Sequence, residues 1–194
     1  MKIRPLLIAI STIIGTCVTI GAVPVQALTC QETGENCVVG GIGPKGGIIF
    51  YDAGSQQWWG RYLEAQPGSV EARVPWHADG FRQSIYGPGD ESKRLQRQSM
   101  AIGMGRENTE RMRLEGTPLA LSGFSSIDKD WYLPSKDELD ALYNFRVQNI
   151  VRNGYWDSVP MWTSSESEPG FAWYQLFQDG TQFTDESGVG AITG

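Results

Sequence analysis

The stretch Asp130 to Tyr143, DWYLPSKDELDALY, restricts the fold more than any other part of the chain. Trp131, Tyr132 and Leu133 are bulky side chains that suit a short strand. Pro134 has no backbone N–H and ends it. Ser135 and Glu138 have the spacing of a capping box. In that motif the serine oxygen accepts from the amide three residues on, and the glutamate reaches back to the serine amide. Asp137 and Glu138 also set negative charge at the positive end of a helix dipole. Leu139, Leu142 and Tyr143 fall on one helical face. The stretch predicts strand, sharp turn and helix, each with one apolar side, and the other elements are expected to pack around it.

At the N-terminus, Lys2 and Arg4 precede a largely apolar run from Leu6 to Val23, and Val25-Gln26-Ala27 fits a small-residue cleavage site. This is the pattern of a secretory signal peptide over residues 1–27, which leaves residues 28–194 as a single domain. An uncleaved anchor is the rival reading; Gly15, Thr16, Thr19 and Pro24 weaken a permanent span. Lipid attachment is disfavoured, because threonine precedes both Cys17 and Cys30. No second apolar stretch is long enough to cross a bilayer, so no stable span is expected after cleavage. The expected location is secreted, periplasmic or on the cell surface.

Removing Lys2 and Arg4 from the 16 basic residues, against 22 acidic ones, moves the formal charge from −6 to −8. Such a chain does not attract nucleic acid or anionic membrane through its overall field. Of the three cysteines, Cys17 lies in the leader. Cys30 and Cys37 remain, and in an oxidising compartment they pair and close a small loop. That link stabilises by roughly 2–3 kcal/mol if unstrained. Two cysteines are too few for a structural zinc site. His77 is the only histidine, so neither a triad nor a histidine-rich metal site can be built on it. No metal and no cofactor is expected.

Gly41, Gly43 and Gly46 match G-x-G-x-x-G by count, but they precede the strand-like Ile48-Ile49-Phe50-Tyr51 instead of following a strand and opening a helix. Lys45 is followed by Gly46, not Ser or Thr, so this is no P-loop either. A tight turn feeding a core strand is the reading adopted. Arg61 to Ala65 is the expected hairpin partner of that strand. Trp58 and Trp59 stand between them, either as a stacking platform for a sugar ring or as a loop that covers the core. Residues 66–92 are expected to be irregular. Lys93, Arg94, Arg97, Arg106, Arg111 and Arg113 form a basic stretch, and Asn108 has the character of an N-cap for a helix through about Leu114. This stretch can bind anionic groups or serve as a solvated face with local ion pairs.

After the central helix, expected to end near Val151 with Asn153-Gly154 as the stop, Met161-Trp162-Thr163-Ser164-Ser165-Glu166 reads as a strand followed by a polar turn. Phe171 to Phe177 alternates as a strand does, with Phe171, Trp173, Gln175 and Phe177 on one face. Asp179-Gly180 is a hairpin signal with Gln182-Phe183-Thr184 returning, and Val189 to Ile192 is a candidate last strand.

Several of these pieces together resemble one family. Gly43-Pro44 through Gly47-Ile48-Ile49-Phe50-Tyr51 resembles its GPGGGIVFY opening, and Leu63-Glu64-Ala65 with Pro67 its LEAAP strand. Ile102-Gly103-Met104-Gly105 with Asn108-Thr109 resembles IGTGxxNT, and Asp130 to Tyr143 resembles DWYLPSKDELNxLY. Trp162 to Glu166 resembles YWSSTE, and Ala172-Trp173-Tyr174-Gln175 with Asp179-Gly180 resembles AWYQxFxDG. The family is the bacterial secreted domain also found at the C-terminus of collagen-like adhesins, the Lcl C-terminal domain. The resemblance implies an α+β, C-type-lectin-like fold: two small antiparallel sheets, two helices and long loops. In the adhesins this domain is tied to trimers and glycosaminoglycan binding. The present chain has no collagen tract, its end from Gly188 to Gly194 lacks the family's basic, aromatic closing strand, and residues 84–100 look like an insertion.

A lectin calcium site uses Glu-Pro-Asn with Trp-Asn-Asp. Here Glu168-Pro169-Gly170 lacks the asparagine, and Trp156-Asp157 comes before it. These residues do not supply the six to eight oxygens that calcium takes. The formylglycine-generating enzymes, another branch of the fold, act through a late cysteine pair, and no cysteine follows Cys37. Carboxylate pairs such as Asp130 with Asp137, or Glu166 with Asp179, have no distinctive spacing. The function expected is an exported binding or adhesion module that recognises glycans or a surface partner without catalysis. Trp58 and Trp59 contribute by stacking, and Arg94, Arg97, Arg106 and Arg111 by pairing with anions. A purely structural envelope domain is the alternative, and an enzyme the third.

Overall fold

The computed structural model describes residues 30–66, 76, 84–114, 130–149 and 160–185. The expectations for the leader, His77, Asn153-Gly154, Trp156-Asp157 and Val189 to Ile192 lie outside these residues. The described part is α+β, with helices and small antiparallel sheets. Its helices are α1 (Cys30–Thr33), α2 (Asp90–Ser99), α3 (Gly105–Leu114) and α4 (Lys136–Asn149). That exceeds the two expected, and α1 is a single turn. Strands β1 (Ile48–Gln57) and β2 (Gly60–Ala65) form one antiparallel pair. Strands β3 (Pro160–Glu168), β4 (Phe171–Leu176) and β5 (Gln182–Asp185) form a sheet in the order β3-β4-β5. Among the described residues no helix is long and apolar enough to cross a membrane.

The first sheet follows its sequence signals. Ile48 pairs with Ala65 and Ile49 with Glu64, and the glycine-rich turn before β1 folds back through Gly43, whose carbonyl and amide bond Gly46 and Gly47. Glu64 holds that turn by accepting the amides of Lys45 at 3.2 Å and Gly47 at 3.1 Å. Strand β1 continues to Gln57, and Trp58-Trp59 make the turn after an irregular register. Cys30 and Cys37 form the expected disulfide.

The central segment holds its capping box. The Ser135 amide donates to Glu138 Oε2 at 2.8 Å, and the Glu138 amide donates to Ser135 Oγ at 3.3 Å. Leu139 is fully buried with Met161 and Phe177, and Leu142 and Tyr143 pack on that cluster. Trp131 to Leu133, however, is not a strand. Among the described residues no strand pairs with it. Instead the Thr109 hydroxyl of α3 accepts from the Leu133 amide at 3.1 Å and donates to the Leu133 carbonyl at 3.3 Å. Leu133 joins a second cluster with Trp76, Ile85, Met112, Trp162 and Ala172.

One further expectation is corrected. Asn108 is not an N-cap: α3 starts at Gly105, and Asn108 is buried in its second turn. Its amide donates to the Ser99 carbonyl at 2.8 Å and to Ser164 Oγ at 3.2 Å, and its oxygen accepts from Tyr86 OH at 2.9 Å. Long-range partners outbid the local cap. Met161 to Glu166 is the expected strand, and the turn that follows comes only after Glu168. Within it Thr163, Ser164, Ser165 and Glu166 are all fully buried. They are matched by polar groups on α2, α3 and the α4 entry: Ser165 Oγ donates to Ser99 O at 2.8 Å, and Ser164 Oγ to Pro134 O at 3.1 Å.

Gly105 packs so closely that a Cβ there would overlap the Glu138 carboxylate and stand 2.8 Å from the Leu133 carbonyl oxygen. Gly105→Ala is therefore expected to destabilise by about 1–3 kcal/mol, as overpacked cores do. Ser135→Ala is expected to cost about 1 kcal/mol through the lost cap. Urea unfolding followed by tryptophan fluorescence measures both.

Candidate functional site

An open cleft of about 960 Å³ lies between the Ser84–Gly89 loop, one side of α2 and the β3–β4 turn. Asp90, Lys93 and Arg97 come from α2 and Met100 from the residue that caps its end, and Ser167, Glu168 and Pro169 from the opposite wall. The buried side of α2 is polar, with Ser92, Gln96 and Ser99. It packs on β3 through a buried carboxylate. Glu166 accepts Ser84 Oγ at 2.6 Å and Gln96 Nε2 at 3.0 Å on one oxygen, and the Ile85 amide at 3.4 Å on the other. Ser84 Oγ is also hydrogen-bonded to Ser92 Oγ at 2.8 Å and accepts the Tyr86 amide at 3.1 Å. Ser84, Ser92 and Gln96 all line the cleft, so Glu166 beneath them fixes its floor.

Burial pushes the Glu166 carboxyl above its ordinary value of 4.5, against the pull of Ser84, Gln96 and the amides of Ile85 and Gly170. Burial likewise raises Glu138, against the amides of Ser135, Gly103 and Gly105. The Tyr86 phenol, buried beside Asn108, is pushed far up for the same reason.

On the cleft's charged rim, Lys93 Nζ lies 3.9 Å from Asp90 Oδ1, a loose exposed pair. Arg97 and Glu168 line the same cleft and have no ion-pair or side-chain hydrogen-bond partner among the described residues. The other predicted contacts are placed elsewhere. Arg94 is engaged by Glu91 and donates to Gln98 Oε1 at 2.7 Å. Arg106 donates to the Asp130 carbonyl at 3.0 Å and lies over the Tyr132 ring at 5.0 Å. Arg111 covers the Tyr86 ring at 5.0 Å, with Glu107 at 3.7 Å. Trp58 is 72% exposed at the β1–β2 turn, whereas Trp59 packs against Gly103 and sits 6.3 Å from Tyr51. Neither tryptophan lines the cleft. Of the six residues, the cleft contains Arg97.

The sequence did not single out Ser84, Gln96 or the cleft itself, and it offered Glu166 only as half of a carboxylate pair with Asp179. The recoverable signal was the polar spacing Asp90, Lys93, Gln96, Arg97 on α2, which carries no apolar stripe. The carboxylate pairs considered for catalysis are not brought together as pairs by any hydrogen bond. Asp130 is held by Lys45, and Asp179 accepts the Thr181 amide at 2.9 Å within the β4–β5 turn. Among the described residues no group of three His, Cys, Asp or Glu could hold a metal ion. No family model, no curated protein and no solved structure matches the chain.

A glutamine at 138 presents an NH₂ to backbone amides that cannot reverse, so Glu138→Gln is expected to cost about 1–3 kcal/mol. For pH, a folded-state value raised above 4.5 means that the folded chain holds protons the unfolded chain has released. Stability should therefore fall as pH rises from 4.5 through the raised values. Denaturant titrations across that window check the slope, and Glu166→Gln should flatten its share.

Proposed function

We propose that this chain is an exported, non-catalytic binding module of C-type-lectin-like architecture, related to the Lcl C-terminal domains, and that it holds a glycan in the α2 cleft. The observation that carries the reading is the cleft itself. It is open, lined by hydroxyl and amide side chains together with Pro88, Met100 and Pro169, and it holds in Arg97 a cation without an ion-pair or hydrogen-bond partner among the described residues. Polar groups interleaved with small apolar surfaces suit the hydroxyl and C–H faces of a sugar. The Cys30–Cys37 disulfide and the leader-like residues 1–27 support an oxidising destination. Small antiparallel sheets with flanking helices are compatible with the proposed architecture. Fold alone does not license function, so the reading rests on the site.

A glycan array with and without calcium tests it. Binding independent of calcium is expected. Arg97→Ala should weaken a detected glycan about tenfold or more, the loss of one charge-assisted contact. Trp58→Ala should leave it unchanged, because that side chain lies at the hairpin turn. The reverse pattern moves the contact to the tryptophan turn, and an array without hits favours a structural envelope domain.

A further inference from the structure

We infer that the cleft selects a zwitterionic glycan: an oligosaccharide that carries both a free amine and a carboxylate. The inference rests on the cleft's being a glycan site and adds the charge of its ligand.

Within the cleft, charges of both signs are present, and they differ in what they already hold. Asp90 and Lys93 stand within ion-pair range of each other. Arg97 on α2 and Glu168 at the end of β3 face no such partner among the described residues. A purely anionic ligand would meet Arg97 but be repelled by Glu168. A purely cationic one would meet Glu168 but be repelled by Arg97. A like charge placed opposite a recognition group discriminates as strongly as the attractive contact does. A ligand with both charges satisfies both residues and leaves neither facing its own sign.

The walls that carry the two residues are held in register. Arg97 adjoins Gln96, whose amide donates to Glu166 at 3.0 Å, and Glu166 lies on the strand that ends in Glu168. The same carboxylate binds Ser84 of the loop. The two recognition charges therefore stand on elements joined through one buried group. Such preorganisation lowers the ordering cost of binding. Ser84, Ser92, Gln96 and Ser167 line the same cleft, and Pro88, Met100 and Pro169 offer surfaces for ring C–H groups.

The test uses one sugar backbone in four charge states: chitotetraose (neutral), chitosan tetraose (cationic), O-carboxymethyl chitotetraose (anionic) and O-carboxymethyl chitosan tetraose (zwitterionic). Binding to the full domain is measured by isothermal titration calorimetry. The zwitterionic tetramer should bind about tenfold tighter than each of the others, the worth of one added charge-assisted contact. Glu168→Gln should bring the zwitterionic tetramer level with the anionic one, and Arg97→Gln level with the cationic one. Both substitutions are at the cleft rim and should leave the thermal midpoint unchanged. Equal binding of the anionic and zwitterionic tetramers, or indifference of the zwitterionic preference to Glu168→Gln, overturns the charge assignment. If glycans are bound in the cleft with no such preference, this inference fails and the binding reading stands. If no tetramer and no arrayed glycan binds, both fail.

Discussion

The Glu138 carboxylate is the group on which the rest of the molecule depends. It is almost completely buried, and its oxygens accept the amides of Ser135, Gly103 and Gly105. An isolated buried charge would be costly; a charge surrounded by amide donors is tolerated and directs its surroundings. The three amides belong to the entry of α4 and to the turn that opens α3. Nearby, Ser135 Oγ donates to the Ala101 carbonyl at 2.8 Å, and the Asp137 amide to the Met100 carbonyl at 2.9 Å. The end of α2, the start of α3 and the start of α4 are thus gathered at one point. Glycine at 103 and 105 follows from this. Any side chain there would occupy the space of the Trp59 indole or of the carboxylate itself.

The consequence for the cleft is direct. Once the end of α2 is anchored, its polar face meets β3, where Thr163, Ser164, Ser165 and Glu166 are all buried. This interface is held by hydrogen bonds and a second buried carboxylate, with apolar packing confined to the clusters on either side. Polar interfaces of this kind are directional, and a shifted register leaves donors and acceptors unmatched. The wall that presents Arg97 is therefore placed by Glu166 as much as by the helix that carries it.

Much of the fold was legible from local chemistry. The Ser135–Glu138 spacing, the apolar run at Ile48 to Tyr51 and the Asp179-Gly180 turn each encode their structure within a few residues, and each forms. The basic residues were visible too, but not their employment. Arg106 and Arg111 lie over aromatic rings supplied by distant segments, Tyr132 and Tyr86. Helix α2 escaped notice because its buried positions are Ser92, Gln96 and Ser99, and no apolar period marks them. Asn108 was misread for the related reason that its amide serves long-range partners in preference to its own helix end.

By itself the sequence determined the hairpins and the capped central helix. These follow from backbone preferences and from side chains interacting a few positions apart. Only the tertiary structure decided that the serines of β3 are buried and that a charged segment becomes the wall of a cleft. A hydroxyl or carboxylate can be buried only where partners from elsewhere in the chain converge on it, and that convergence is written in no single stretch.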